Sequence, residues 1–434
     1  FSTDDANDFT ATSQTITLSS SSPATIAITV PIIDDAIAEQ QAEYVVFRLE
    51  NPQGVTLGAN AWVTLYILDN DTPTPSLSQE IELNYLGSFD PSGTANNRTC
   101  EIVVHDPVTQ RLFTTSAASG VLDIIDFSNP TQLSVIQTLD LNTYGGVTSV
   151  AVKNGLVAVA CPNTNEALNG SVVVFDTQGV FQKQFTVGAL PDMITFTPDG
   201  TKILTANEGQ PDSDYTVDPL GSVSIIDISG GIAQATQAQV TTLDFTAFNA
   251  QEAALLNAGV RKGKATSTLA QDLEPEYLAV HPDGTKAWVT LQENNAIAEI
   301  NLTTPSITSI WPLGTKNIAL PGNGFDVSDN NGQILIANWP LQAYYIPDAM
   351  AHYTVNGVSY LVTANEGDER EYNALNERTT VGAAALDATA FPNAAVLKQN
   401  SNMGRFRITN LNGNTDADAE LEQLYCVGSR SFSI

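Results

Sequence analysis

At 434 residues the chain exceeds one ordinary domain and has ample length to bury a large core. Lys and Arg total 17 against 48 Asp and Glu, giving a formal net charge of −31 and a pI near 4.1. A field of that sign repels nucleic acid and anionic membranes and attracts cations, so nucleic-acid binding is excluded as a function class.

Residues 1–72 are rich in Thr, Ser, Ile and Val alternating with period two, as in Thr15-Ile16-Thr17-Leu18 and Thr25-Ile26-Ala27-Ile28-Thr29-Val30. Half-buried antiparallel strands have this pattern. The segment closes on Trp62-Val63-Thr64-Leu65-Tyr66-Ile67-Leu68-Asp69-Asn70-Asp71, a strand running into an acidic loop, and Pro73 and Pro75 open a short, stiff linker over 73–80. Val30-Pro31-Ile32-Ile33-Asp34-Asp35, then Glu39, Glu43 and Phe47-Arg48-Leu49-Glu50-Asn51-Pro52, then Ile67-Leu68-Asp69-Asn70-Asp71, together resemble a Calx-beta domain. The resemblance implies an immunoglobulin-like sandwich whose end loops hold Ca²⁺ on carboxylates. By motif, the matching positions are Asp8, Asp34, Asp35, Glu39, Asp69 and Asp71. Ca²⁺ takes roughly six to eight oxygen ligands, and clustered carboxylates repel one another without it. The family's opening strand would precede Phe1, so either the sequence is a piece of a longer polypeptide or a neighbouring copy supplies that strand.

From 81 to 434 short strands and polar turns repeat. Units begin near Glu101, Thr148, Asp192, Glu276, Asp348 and Leu424, with a tight spacing of roughly 45 residues that fits propeller blades. Gly120–Asp126, Gly170–Asp176 and Gly221–Asp227 share a third-strand signature, and 245–272, with Phe248-Asn249-Ala250-Gln251-Glu252-Ala253, reads as a helical insertion. Three units pair two acids around a hairpin: Pro191-Asp192 with Asn207-Glu208-Gly209, Pro275-Glu276 with Gln292-Glu293, and Pro347-Asp348 with Asn365-Glu366-Gly367. One acid opens the first strand and the other closes the second, and in an antiparallel hairpin those points share an end. Asp192, Glu208, Glu276, Glu293, Asp348 and Glu366 are therefore expected on one face, with Glu101 beside them. The blade arrangement also allows a disulfide between Cys100 and Cys161. Without a CxxC or Cys/His cluster, zinc and thiol redox chemistry are disfavoured. The expected fold is all-β: a Calx-beta sandwich followed by a β-propeller, seven-bladed and incomplete in this chain.

Leu190-Pro191-Asp192-Met193, Ala206-Asn207-Glu208-Gly209, Gly221-Ser222-Val223-Ser224, Leu291-Gln292-Glu293-Asn294-Asn295-Ala296, Thr363-Ala364-Asn365-Glu366-Gly367-Asp368-Glu369-Arg370 and Ser429-Arg430-Ser431-Phe432 resemble the choice-of-anchor I family. The resemblance implies a secreted or surface-anchored β-propeller similar to mesenchyme-specific cell surface glycoproteins. Some relatives carry an alkaline phosphatase label.

Six carboxylates on one face call for a cation, most plausibly Ca²⁺, since every donor is oxygen and no His lies in the motifs. The other reading is structural: each acid accepts backbone N–H bonds and locks neighbouring blades together. The acidic loops with Asp212, Asp214 and Asp218, and with Asp368, Glu369 and Glu371, lie near the same face, where Arg370, Arg378 and Arg430 would orient an anion or pair with an acid. His105, His281 and His352 form no nucleophile arrangement with a Ser and an Asp. Trp311, Trp339, Tyr344 and Tyr345 are the aromatics to consider for a carbohydrate or protein ligand.

The reading that follows is an extracellular, calcium-binding surface or matrix protein, secreted or anchored, an adhesive, scaffold or filament component. Its partners would be calcium, neighbouring copies or other modules of a longer chain, matrix or carbohydrate, with no membrane-spanning segment. The rival is a secreted metal-dependent phosphatase or phytase-like esterase that uses the acidic face.

Overall fold

The computed structural model of the protein describes residues 8–10, 13–58, 61–71, 83–92, 100–416 and 418–434; the linker expected over 73–80 lies outside them. They divide into two compact units. One comprises Glu82–Thr315, Tyr344–Glu377 and Val427–Ile434, and the other Phe1–Ile81, Lys316–Ala343 and Arg378–Cys426.

In the first unit five antiparallel sheets follow one another. Their strands are Val103–Asp106, Arg111–Ser116, Val121–Asp126 and Ser134–Asp140; Ser149–Lys153, Leu156–Cys161, Asn169–Asp176 and Phe181–Ala189; Pro191–Phe196, Lys202–Asn207, Ser222–Asp227 and Val240–Asp244; Pro275–Val280, Lys286–Leu291, Ala296–Asn301 and Ser306–Pro312; and Pro347–Val355, Val358–Asn365 and Ser431–Ser433. Within each sheet the strands lie side by side in chain order. The first strand of each sheet neighbours the first strand of the next. This is the β-propeller arrangement, in which small meander sheets stand radially with their opening strands innermost.

Strand Lys202–Asn207 shows how one segment serves two cores. Ile203 packs with Ala158, Val172 and Val174 of the second sheet, whereas Leu204 and Ala206 pack with Leu278, Val289 and Ala298 of the fourth. Successive side chains point to opposite faces of a strand, so a strand covered on both faces reads as an unbroken apolar run. Burying each such side chain contributes about 1.5–3 kcal/mol. The hairpin turns are set by aspartates. Asp199 accepts the Thr201 N–H at 3.0 Å and the Thr197 hydroxyl at 2.6 Å, and Gly200 takes φ 74°, a conformation open to glycine.

A buried asparagine explains the repeated Thr-Ala-Asn-Glu-Gly segments. The Asn207 amide N–H₂ reaches Ser222 O and Oγ at 3.2 Å and Ser224 Oγ at 3.0 Å, and its oxygen accepts the Thr205 hydroxyl at 2.9 Å. Asn365 repeats the clamp, donating to Ser431 Oγ at 3.0 Å and Ser433 Oγ at 2.8 Å and accepting the Thr363 hydroxyl at 2.9 Å. Each clamp ties the second strand to the third where the chain leaves the sheet. Glycine follows of necessity: Gly209 has φ 70°, and a Cβ there would stand 2.6 Å from the Leu220 backbone.

Two expectations are corrected. No new blade opens near Leu424, because Ser431–Ser433 pairs with Thr363–Asn365 and completes the sheet begun at Pro347, while Leu424 is buried in the core of the other unit. The Cys100–Cys161 disulfide is absent: both cysteines are free, Cys161 buried in the apolar layer between the first two sheets and Cys100 exposed.

Between the third and fourth sheets run a 3-10 turn, Thr246–Gln251, a helix, Glu252–Ala258, and a single helical turn, Leu269–Asp272. The last begins in a capping box between Thr268 and Gln271. Phe245, Phe248 and Leu269 of this insertion join the core shared by those sheets.

In the other unit Ala42–Arg48 pairs antiparallel with Trp62–Leu68, and Phe9 bridges Ile32. Ala42 and Tyr44 pack with Ile318, Phe325, Trp339, Phe391 and Met403, and the Tyr44 and Trp339 rings stack at 4.6 Å. Trp339 is thus core rather than a ligand-facing aromatic. Residues 316–343 and 378–426 fall inside the stretch expected as propeller yet cluster with the N-terminal segment; their strands are two or three residues long and lack the hairpin repeat.

Asn207→Ala leaves buried hydroxyl and carbonyl groups without their amide partner and is expected to destabilise the chain by about 2–4 kcal/mol. Equilibrium unfolding in guanidinium should show a lower midpoint at unchanged slope; a change below about 0.5 kcal/mol is incompatible with the clamp.

Candidate cation-binding sites

The acids of the propeller-type unit are placed by a repeated backbone device. Asp192, Glu276 and Asp348 are each the second residue of a first strand that opens on proline, and in each strand the pairing register slips beside the acid: between Pro191 and Met193, Pro275 and Leu278, and Pro347 and Met350. A bulge of this kind releases a residue from the ladder and re-aims its side chain. Leu190 and Ile346, just before two of the prolines, take φ 49° and 51°, a conformation that costs a bulky residue energy unless its surroundings enforce it. The enforcing contact comes from the partner acid's backbone: Glu208 N–H donates to Leu190 O at 2.9 Å and Glu366 N–H to Ile346 O at 3.1 Å. Both acids of a pair are therefore fixed by one local knot.

Asp192, Glu208 and Glu276 each offer a carboxylate oxygen within 4.8 Å of the others. Glu208 is 6% exposed and accepts a hydrogen bond from the Gln210 amide. Burial, then the charges of Glu276 and Asp192, push its carboxyl well above the usual range. Glu276 is pushed up to about 10, by burial first and Glu293 second, and Asp192 to about 6, by burial, Glu101 and Asp348. Glu293 is 5% exposed and its Oε2 has no hydrogen-bond partner; burial raises it against the pull of Arg370. Asp348 is raised by burial and by Glu366. Glu366 accepts from the Gln292 amide at 3.0 Å, a tie from the fourth sheet to the fifth. Further ties between sheets at this end use threonine: Thr148 Oγ1 donates to Pro191 O at 2.6 Å and Thr290 Oγ1 to Asp348 O at 3.1 Å. The interlocking role thus falls to hydroxyls and to Glu366, and Asp192, Glu208 and Glu276 are left facing one another.

Beside them lies a buried charge network with several members the sequence did not single out. Arg370 is 2% exposed; its Nη2 donates to Asp272 O at 2.8 Å, and it stands 3.6 Å from the Asp272 carboxylate and 3.5 Å from that of Glu274. Arg261 pairs with Glu377 and donates to Glu293 O at 2.8 Å. Arg370 is therefore held by acids and not presented to solvent. Glu274 precedes Pro275, and an acid directly before the Pro-acid pair was its only sequence signal. Arg378 opens a short strand in the other unit, and Arg430 precedes Ser431 at φ 47°. Asp212 accepts the Thr216 and Val217 N–H groups, Asp214 accepts from Asn373, and Asp218 accepts from Ser267. Tyr215 and Tyr372 meet edge to face at 5.4 Å.

In the N-terminal segment Asp8, Asp34, Asp35, Glu39, Asp69 and Asp71 all line one cleft of about 240 Å³. Asp8 and Glu39 come within 4.8 Å of a third acid, Glu43, which had appeared only as part of the motif. Asp69 shapes the cleft by accepting the Glu39 N–H at 3.0 Å and the Asp71 N–H at 2.8 Å. Asp416, Asp418 and Glu422 form a further trio in a loop where Glu422 accepts the Thr415 N–H and hydroxyl.

The choice-of-anchor I domain family matches residues 101–434. No curated protein matches the chain. Among solved structures, the chain is similar to Kuenenia stuttgartiensis Hydrazine Synthase at 12% identity, over 61% of this chain and 67% of that one, with a TM-score of 0.37. The β-propeller domain of Myceliophteria thermophila Cps50 (Swd1) is similar at 12% identity over 61% and 62%, TM-score 0.37, and Kluyvelomyces marxianus Hsv2 at 11% over 52% and 57%, TM-score 0.32. The chain spans less than two thirds of the latter two.

Asp192 and Glu276 titrate higher in the folded chain than in the unfolded one, so the fold favours their protonated forms. Their contribution to stability is complete below the ordinary carboxylate range and is lost as pH rises through about 6 and on toward about 10. In chelator, the melting temperature is expected to fall between about pH 5 and about pH 9, and Glu276→Gln should flatten that fall. Equal slopes for the two proteins would show that these carboxyls are not strained by burial.

Proposed function

The chain belongs to the choice-of-anchor I domain family, which marks it as a cell-surface-associated protein, and on that premise we propose that it works outside the cell as a calcium-binding scaffold or adhesive module. The observation that carries this reading is the N-terminal cleft, where seven carboxylates from three stretches of chain line one space. Six of them, Asp8, Asp34, Asp35, Glu39, Asp69 and Asp71, are the positions matched by the resemblance to a Calx-beta domain, and the resemblance supplies the same ion. Calcium concentrations outside cells suit a weak, oxygen-rich loop site with a Kd of about 0.1–1 mM. The ion would fasten the loop after Ile33 to the loop after Leu68 and so stiffen the module for mechanical or adhesive service. Of the arginines that could orient a phosphate in the phosphoester-hydrolase reading, Arg370 is enclosed by Asp272 and Glu274.

Calorimetric titration of the intact chain with Ca²⁺ is expected to show binding in that range, weakened by more than about tenfold in a Glu39→Gln, Glu43→Gln double variant, with no turnover of p-nitrophenyl phosphate. Unchanged binding in the double variant removes the cleft as the site. Turnover that Ca²⁺ stimulates makes the protein an enzyme.

A further inference from the structure

We propose that the propeller-type unit holds a second, buried divalent cation of the Ca²⁺ class on Asp192, Glu208 and Glu276, with Glu293 completing the ligand set. This site is separate from the N-terminal cleft, and neither reading depends on the other. Three features argue for it. The three carboxylates approach within 4.8 Å, and ligands on opposite sides of a Ca²⁺ ion, each at roughly 2.3–2.6 Å, are separated by about that distance. None of the three makes an ion pair with a basic group among the described residues; Arg261 pairs with Glu377, and Arg370 stands nearest Asp272 and Glu274.

The independent observation is Glu293. It is more than nine-tenths buried, its Oε2 meets no donor among the described residues, and it follows the strand Lys286–Leu291, whose Leu291 pairs with Pro275, so it leaves the sheet at the end where Glu276 stands. A carboxylate oxygen stripped of water and left without a donor is costly, and a cation held with Glu208 and Glu276 is a partner that satisfies it.

The donor set also selects the ion. All four groups are carboxylates, with neither sulfur nor imidazole among them, which favours a hard cation over zinc or copper. Mg²⁺ demands near-octahedral geometry and gives up its waters reluctantly, whereas Ca²⁺ tolerates an irregular carboxylate cage. Bulges and the Asn207 clamp hold the walls of the cage.

The test is a calorimetric Ca²⁺ titration of the intact, chelator-treated chain beside Glu208→Gln, Asp192→Asn and the cleft variant Glu43→Gln, with Mg²⁺ as competitor. Two classes of site are expected. Glu208→Gln and Asp192→Asn should each weaken the same class by more than about tenfold, and Glu43→Gln should leave that class in place. In chelator at alkaline pH Glu208→Gln should melt above the natural chain, since a repelling charge has gone, and Ca²⁺ should raise its melting temperature less. The proposal is overturned if folded Asp192→Asn binds both classes as the natural chain does, or if Glu43→Gln abolishes all binding. It also fails if Mg²⁺ displaces Ca²⁺ at equal concentration.

Discussion

The arrangement of the propeller-type unit rests on a buried side-chain amide with its hydrogen bonds filled. Asn207 and Asn365 each join a threonine of their own strand to two serines of the next. Inside protein, where water is not available to substitute, such a network is favourable only when complete, so it fixes the strand exit to one geometry. The glutamate that follows inherits that position. The clamp adds to the Glu208 N–H bond to Leu190 O in holding Glu208 beside Asp192 and Glu276, where like charges brought together in a poorly solvated place push apart.

The electrostatics around that exit are lopsided. Among the described residues, Asp272, Glu274, Glu293 and Glu377 act on Arg370, and Glu377 also pairs with Arg261. A buried ion pair gains little over an apolar pair of the same shape, yet removing one partner is severe, and such a network therefore serves position more than stability. Arg370 illustrates this. It draws the 366–377 loop onto the insertion through Asp272 and Glu274, and Gly263 is glycine where a Cβ would stand 2.8 Å from that guanidinium. A small part of the acid excess that the whole composition displays is thus gathered at one buried place.

Much of this was legible in the sequence. Apolar runs separated by polar turns such as Pro198-Asp199-Gly200-Thr201 identify the hairpins, and the Pro-acid and Asn-Glu-Gly repeats identify the carboxylates that the fold gathers. What was not legible depends on contacts between distant segments. The third strand of the fifth sheet lies 66 residues from the asparagine that clamps it, so local spacing suggested a new blade near Leu424 where none exists. The assembly of Tyr44, Trp339 and Phe391 into one core leaves no periodic trace, because each segment contributes only a few apolar side chains. Arg370 reads in the sequence as a group that orients an anion or pairs with an acid, and which acids it meets depends on the insertion that brings Asp272 and Glu274 to it.

That distant third strand has a consequence for how the fold is assembled. In the third sheet the clamp closes over 15 residues, and in the fifth over 66. The added loop entropy is only about 1 kcal/mol, because closure penalty grows with the logarithm of length, and so the sheet tolerates a long excursion at equilibrium. Kinetically the difference is larger. As the chain emerges from the ribosome, Val358–Asn365 is made well before the segment that will cover its edge, and contacts of high sequence separation form late. The first four sheets can close as they are made, while the fifth waits with an open edge, and it is there that a folding chain of this architecture is most exposed to pairing with a neighbour.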